Sequence, residues 1–170
     1  MSVTSETPDC VFCRIAEGRE PARLVHSDER TLAFLPLEPA VDGHVLVVPR
    51  RHLRDAWELD EPTSLELTRA VRRVVRAVRS AFAPVGMNII TSVGAVATQS
   101  VMHLHIHVVP RNEGDRMGPI WPPRRTPEPA VLDELADRLR EALSVSAQQD
   151  GEQHGEMGGG EPAVEQRQGD

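Results

Sequence analysis

Three histidines stand at alternate positions in the segment Gln99-Ser100-Val101-Met102-His103-Leu104-His105-Ile106-His107-Val108-Val109-Pro110. On an extended strand, alternate side chains share one face. Leu104, Ile106 and Val108 then turn to a core, and the three imidazoles turn together to a cleft. Three readings are open. The face is simply solvated, or all three imidazoles hold a metal, or one of them attacks phosphorus. Alternate residues lie about 6.6 Å apart along a strand, which makes three successive ligands to one metal awkward. A neutral imidazole is a competent nucleophile near neutral pH. The flanking histidines, with Gln99 and Ser100, suit the binding of phosphate oxygens as charge develops.

The chain has two cysteines, Cys10 and Cys13. They are too close to staple a fold. A Cys-x-x-Cys pair reads as metal-binding, as redox-active, or as a reduced pair packed under the sheet. Tetrahedral zinc would need two further ligands. His52, just past a strand end, and His103, at the start of the histidine segment, are both available.

The elements that position these residues follow from periodicity. Val11 to Glu17 reads as a short helical turn ended by Gly18. Ala22–His26 and Thr31–Leu35 are short apolar runs spaced as a hairpin. Pro36, Pro39 and Gly43 mark a loop, and His44–Val48 is a buried strand. The longest helical pattern is Glu61–Ala83, with Leu65, Ala70, Val71, Val74, Val78 and Phe82 at helical spacing. Asp60 is placed to cap it, and Pro62 suits a first turn. Met87–Thr91 and Val101–Val109 are two more strands, and Val131–Leu143 is an amphipathic helix bearing Leu132, Leu135, Leu139 and Leu143. The order predicts an α+β fold in which a five-stranded antiparallel sheet carries the long helix and a C-terminal helix.

The histidine segment resembles the signature of the histidine triad (HIT) superfamily. The stretch Gly43-His44-Val45-Leu46-Val47-Val48-Pro49-Arg50-Arg51-His52 is similar to that family's other recurrent motif, and Cys10-Val11-Phe12-Cys13 resembles the opening of its zinc-bearing bacterial-type members. The similarity runs from about Cys10 to about Leu143. It implies a HIT-like fold and a nucleotidyl hydrolase or transferase. The substrate would be a phosphoramidate, mixed anhydride or dinucleotide, and a nucleoside monophosphate would be released. By this resemblance His105 is the nucleophile that forms a nucleotidyl-histidine intermediate, and His107 binds the transferred phosphate. Gln99 and Ser100 contact the phosphate and the leaving group, and His44 supports the nucleophile. Leu37, Ser92 and Trp121 complete the expected substrate contacts. The resemblance further implies a structural zinc on Cys10, Cys13, His52 and His103, no organic cofactor, and a homodimer joined through the long helix and the next strand pair.

Two departures from the family bear on substrate. An acidic residue commonly follows the strand ending at Phe34-Leu35 and holds the ribose hydroxyls; Pro36 stands here and cannot accept through its side chain. The loop before Gln99 commonly carries Asn and glycines, whereas Ser92 and Thr98 occupy two of those positions. These changes keep two alternatives open: a non-catalytic nucleotide-binding or regulatory module, and an enzyme with a specialised, non-standard phosphate substrate. Trp121-Pro122-Pro123 resembles a C-terminal element that approaches the partner subunit's site, and is otherwise a surface Trp in a Pro-rich loop.

Composition narrows the class. Aromatic residues make up 3% and Tyr is absent, so a core must be built from aliphatic side chains. All 19 basic residues are Arg. Residues 146–170 hold six acids (Asp150, Glu152, Glu156, Glu161, Glu165, Asp170) against Arg167, which is −5 of the total charge of −7. The remainder is nearly neutral and offers no basic field for a nucleic-acid polymer. No apolar run reaches the roughly 20 residues of a membrane span, and no signal peptide is recognised, so a cytoplasmic location is expected. The expected layout is a loose N-terminus over 1–9, one domain over 10–145 and a disordered acidic tail over 146–170.

Overall fold

The computed structural model describes residues 10–155, with side chains through 146. The segment 1–9 and the tail residues 156–170 lie outside the described residues. The chain divides after Ile120 into two compact units. The first unit contains helix α1 (Val11–Ala16), strands β1 (Arg23–Ser27), β2 (Thr31–Leu35) and β3 (Val45–Pro49), helix α2 (Glu61–Phe82), and strands β4 (Gly86–Ile90) and β5 (Ile106–Arg111). The second contains helix α3 (Pro129–Gly155). The whole sheet lies in the first unit.

The strands form one antiparallel sheet in the order β1-β2-β3-β5-β4. Period-two alternation sorts its side chains into two cores. Ala33, Val45, Val47, Leu104 and Val108 meet Leu67, Ala70, Val71, Val74 and Val78 of α2 on one face. Leu32, Phe34, Leu46 and Val48 meet Cys10, Phe12 and Cys13 around α1 on the other. β3 is buried throughout because both faces are covered.

Helix α2 begins where expected. The Asp60 carboxylate accepts from the Thr63 backbone N–H at 2.9 Å, and the left-handed Ala83 ends it ahead of Pro84. Two residues expected on its apolar stripe do not belong there. Leu65 is 52% and Phe82 51% exposed. Leu67, with Val71, Val74 and Val78 at helical spacing, forms the seam instead, and Leu65 lies about 200° around the helix from Leu67. The Phe82 ring covers Gly43, where a Cβ would meet ring carbons at 2.9 Å and φ is +82°.

In the second unit α3 extends well past the expected Val131–Leu143. Residues 146–155, assigned by composition to a disordered tail, continue the helix. The Ala147-Gln148-Gln149 run contains no helix breaker, and its propensity suffices to propagate a helix already nucleated upstream. Leu132, Leu135, Leu139 and Leu143 are all exposed. Among the described residues, no helix is long and apolar enough to cross a membrane.

Candidate functional site

The histidine segment enters the sheet late. Hydrogen-bonded pairing in β5 starts at Ile106 rather than the expected Val101. The Leu104 amide donates to Leu53 O at 2.6 Å, so residues 103–105 run against the loop beyond β3 and not along the β3 ladder. The alternation nevertheless holds. Leu104, Ile106 and Val108 belong to the α2 core, while His105 and His107 stand beside each other with ring centroids 4.9 Å apart. The Phe12 ring lies edge-on to both His103 and His105, at 5.8 and 5.5 Å.

Each imidazole has partners that assign its tautomer. The Ala40 amide donates to His44 Nδ1 at 3.1 Å, so His44 carries its proton on Nε2. That N–H donates to His107 Nδ1 at 2.9 Å, which leaves His107 with Nε2–H as an outward donor. His105 Nδ1–H donates to the His103 carbonyl at 2.7 Å, so its Nε2 carries the lone pair. Among the described residues this Nε2 has no hydrogen-bond partner and is not sealed from solvent. Burial first, then the neighbouring His105 and His44, lowers the His107 pKa to about 4. Burial and His105 also lower that of His44. Both rings are held neutral, as the relay requires.

His103 is turned the other way. Its Nε2–H donates to Pro49 O at 2.9 Å, leaving Nδ1 as a ligand atom. Nδ1 lies 3.4 Å from Cys10 Sγ and 3.5 Å from Cys13 Sγ, and His52 Nδ1 lies 3.2 Å from Cys13 Sγ. All four ligand atoms fall within 4.8 Å of one another. Metal–ligand bonds of 2.0–2.3 Å place tetrahedral N and S donors about 3.3–3.8 Å apart, so the donor set fits a metal ion. Burial, with Cys10 alongside, pushes the Cys13 thiol up to about 11. A bound dication reverses that penalty by stabilising the thiolates.

The remaining expected residues are placed unequally. Gln99 is buried and its carboxamide is fully engaged: Oε1 accepts from Gly94 N at 2.7 Å, and Nε2 donates to Arg54 O at 2.7 Å and Val101 O at 3.1 Å. These three bonds tie the 94–101 loop to Arg54. Ser100 is exposed beside it, Ser92 is half-buried, and Leu37 is 85% exposed. Trp121 belongs to the second unit and is 83% exposed. Thr98 occupies a left-handed conformation, φ 69°, the backbone for which glycine is suited and a β-branched residue is strained. The sequence pattern missed Thr91, whose hydroxyl donates to the His105 carbonyl at 2.9 Å, and Phe12. It also carried no sign of the Pro49 and His103 carbonyls, because backbone acceptors leave no mark on residue type.

The HIT domain model matches residues 17–114. The chain belongs to this family. It is 38% identical over 114 residues to Protein hit of Bacillus subtilis, covering 66% of this chain and 79% of that one. The crystal structure of a Streptococcus mutans protein superposes with a TM-score of 0.78 at 33% identity, over 84% of this chain and 90% of that chain. A histidine triad nucleotide-binding protein from Candida albicans superposes with a TM-score of 0.72 at 25% identity, over 81% and 99%. These HIT-fold neighbours share the five-stranded antiparallel sheet with its helices. HIT membership supports a nucleotide-binding or hydrolase-type role. Cys10 and Cys13 precede the matched stretch, whereas His52 and His103 lie within it.

Proposed function

We propose that this HIT chain is a nucleotidyl hydrolase or transferase in which His105 Nε2 attacks the phosphorus of a nucleoside phosphoramidate, mixed anhydride or dinucleotide. The observation that carries the reading is the Nδ1–H of His105 held by the His103 carbonyl, which commits the opposite nitrogen to a lone pair. In the first step that lone pair forms a P–N bond. The bond from phosphorus to the leaving group breaks, and its electrons depart with that group. The ring keeps its Nδ1 proton and gains positive charge, which the same carbonyl stabilises. His107 Nε2–H donates to a phosphate oxygen, and Ser100 serves the leaving group. In the second step a water oxygen bonds to phosphorus, the P–N bond breaks, a proton passes to solvent, and a nucleoside monophosphate is released.

The metal in this reading is zinc, with Cys10, Cys13, His52 and His103 filling all four positions of a structural site. It ties α1 to the histidine segment and fixes the His103 carbonyl on which His105 depends. A homodimer through α2 and β4 fits the exposed Leu65, Phe82, Val85 and Ile89 and the unpaired outer edge of β4. Trp121 then offers its exposed ring to the partner's site, and light scattering at micromolar concentration tests the assembly. A non-catalytic nucleotide-binding module is favoured by two departures from the family pattern, Pro36 and Ser92.

The deciding experiment incubates the protein with nucleoside phosphoramidates and dinucleoside polyphosphates and measures released monophosphate. Rapid quench in alkaline denaturant with a labelled substrate is expected to trap a base-stable, acid-labile adduct on the wild type and none on His105→Ala. Binding of nucleotides without turnover across the panel overturns the enzymatic reading in favour of the binding module.

A further inference from the structure

Cys10 and Cys13 are both free thiols, and their surroundings differ. Cys13 Sγ has two imidazole neighbours, His52 Nδ1 at 3.2 Å and His103 Nδ1 at 3.5 Å. Cys10 Sγ has one, His103 Nδ1 at 3.4 Å. Cys10 and His52 line a cleft of about 650 Å³, and Cys13 is not among its lining residues. A small reagent that enters the cleft therefore meets Cys10 first. The two sulfurs lie within 4.8 Å of each other. Residues three apart on a helix hold their Cβ atoms about 5–6 Å apart, against about 3.5–4.5 Å across a disulfide. Cys10 precedes the first helical residue and has an extended backbone, φ −107° and ψ 120°. Closing the gap thus adjusts one end of α1 and leaves its body wound.

We propose that Cys10 and Cys13 are a thiol-oxidation site, at which a hydroperoxide joins them in a disulfide and so dismantles the metal centre. The thiolate is both the metal ligand and the nucleophile. Cys10 Sγ attacks a peroxide oxygen: an S–O bond forms, the O–O bond breaks, and hydroxide departs with the electron pair and takes a proton to become water. Cys13 Sγ then attacks Cys10 Sγ: the S–S bond forms, the S–O bond breaks, and the second hydroxide likewise leaves as water. The two sulfurs together give two electrons to the peroxide, and solvent supplies two protons. Neither disulfide sulfur is an anionic ligand, and His52 and His103 alone do not close a tetrahedral site. A dithiol reverses the disulfide by exchange and restores the ligand set. The carbonyl that orients His105 belongs to His103, so the redox state of the pair sets turnover; this last link rests on the proposed role of His105.

The test treats the zinc-loaded wild type with hydrogen peroxide in the presence of a chromogenic zinc indicator. Release of about one zinc per chain is expected, together with a peptide that links Cys10 to Cys13 in the mass spectrum. Dithiothreitol plus zinc is expected to restore the metal content and the melting temperature. On the folded, reduced protein, a limited dose of iodoacetamide is expected to label Cys10 at least about fivefold faster than Cys13, a comparison that needs no substitution of a ligand. Zinc retained after peroxide, or zinc released without the Cys10–Cys13 link, overturns the inference. Labelling of Cys13 first, or of both at one rate, overturns the assignment of Cys10 as the attacking thiol. Turnover that does not fall as zinc is released overturns the link to His105. A wild type that holds no zinc overturns the metal reading itself, whereas a reduced, zinc-loaded wild type that releases no monophosphate overturns the reading of His105 and leaves the thiol chemistry standing on zinc release.

Discussion

His103 and His105 are two residues apart, both buried, and both lie against Phe12, yet their rings are used in opposite senses. His103 has a backbone carbonyl on Nε2 and two cysteine sulfurs around Nδ1. Both nitrogens are committed, and the ring is a structural post. His105 has a carbonyl on Nδ1 alone, so one nitrogen remains for chemistry. The two are joined in series: the carbonyl that orients His105 belongs to the residue whose side chain completes the metal cluster. One residue type, at one repeat along the chain, thus presents Nδ1 to the cysteines in one case and leaves Nε2 open in the other, according to which nitrogen finds a backbone acceptor.

The largest effect that separates the two is on turnover. His105→Ala is expected to lower kcat by at least about 10⁴-fold while leaving the melting temperature close to wild type, because water is a poor substitute for the lost nucleophile. Steady-state release of monophosphate and a thermal melt on the same preparation check it. Near-wild-type turnover in His105→Ala would sink covalent catalysis by this residue.

His103→Ala, or removal of the metal by a chelator, is expected to show the reverse emphasis. Loss of a ligand set absent from the unfolded chain costs stability, about 2–4 kcal/mol for a site well saturated with metal. Activity falls as a consequence of a displaced carbonyl. Elemental analysis should find about one zinc per chain in the wild type. A chelated protein with an unchanged melting temperature would break the contrast between the two histidines.

This contrast was only half legible in the sequence. The alternation of Leu104, Ile106 and Val108 with the histidines already assigned the two faces, and the Cys-x-x-Cys spacing marked two members of the cluster that closes with His52 and His103. Strand positions came within a residue or two for β1 to β4, because apolar runs bounded by turn residues record burial directly. The histidine segment itself was misjudged as strand from Val101, since a side-chain pattern of period two does not report that Leu104 N bonds to Leu53 O. The three backbone groups that use the Gln99 carboxamide leave no mark on residue type either. On α2, Leu65 and Phe82 fit the period but lie off the covered seam, and only the placement of the sheet decides which apolar residues it covers.

A smaller effect sharpens the account of His105. Thr91→Val keeps the shape of the side chain and removes the hydroxyl that donates to the His105 carbonyl. One neutral hydrogen bond of this kind contributes about 1 kcal/mol, so a modest drop in melting temperature is expected. A larger fractional loss in kcat than in stability would show that the carbonyl anchor positions the nucleophile. Equal, small losses would make Thr91 a structural brace alone.

The smallest expected effect is in the pH dependence of stability, and it tests the neutral relay from Ala40 through His44 to His107. The His107 pKa is lowered to about 4 in the folded protein, by burial first and by His105 and His44 next, while an unfolded histidine titrates near 6.5. Protonation therefore favours the unfolded chain. The stability this ring permits is fully present above about pH 6.5 and is lost as pH falls through 6.5 toward 4. His44 shifts in the same direction and adds to the slope. His107→Gln removes the titrating ring, so the fall in unfolding free energy between about pH 6.5 and 4 is expected to be shallower than in wild type. Denaturant melts across that range, with metal saturation held constant so that His103 does not contribute a changing occupancy, give the two slopes. Parallel slopes would mean that His107 takes up its proton over the same pH range folded and unfolded, and the neutral chain of donors that begins at Ala40 would not hold it deprotonated.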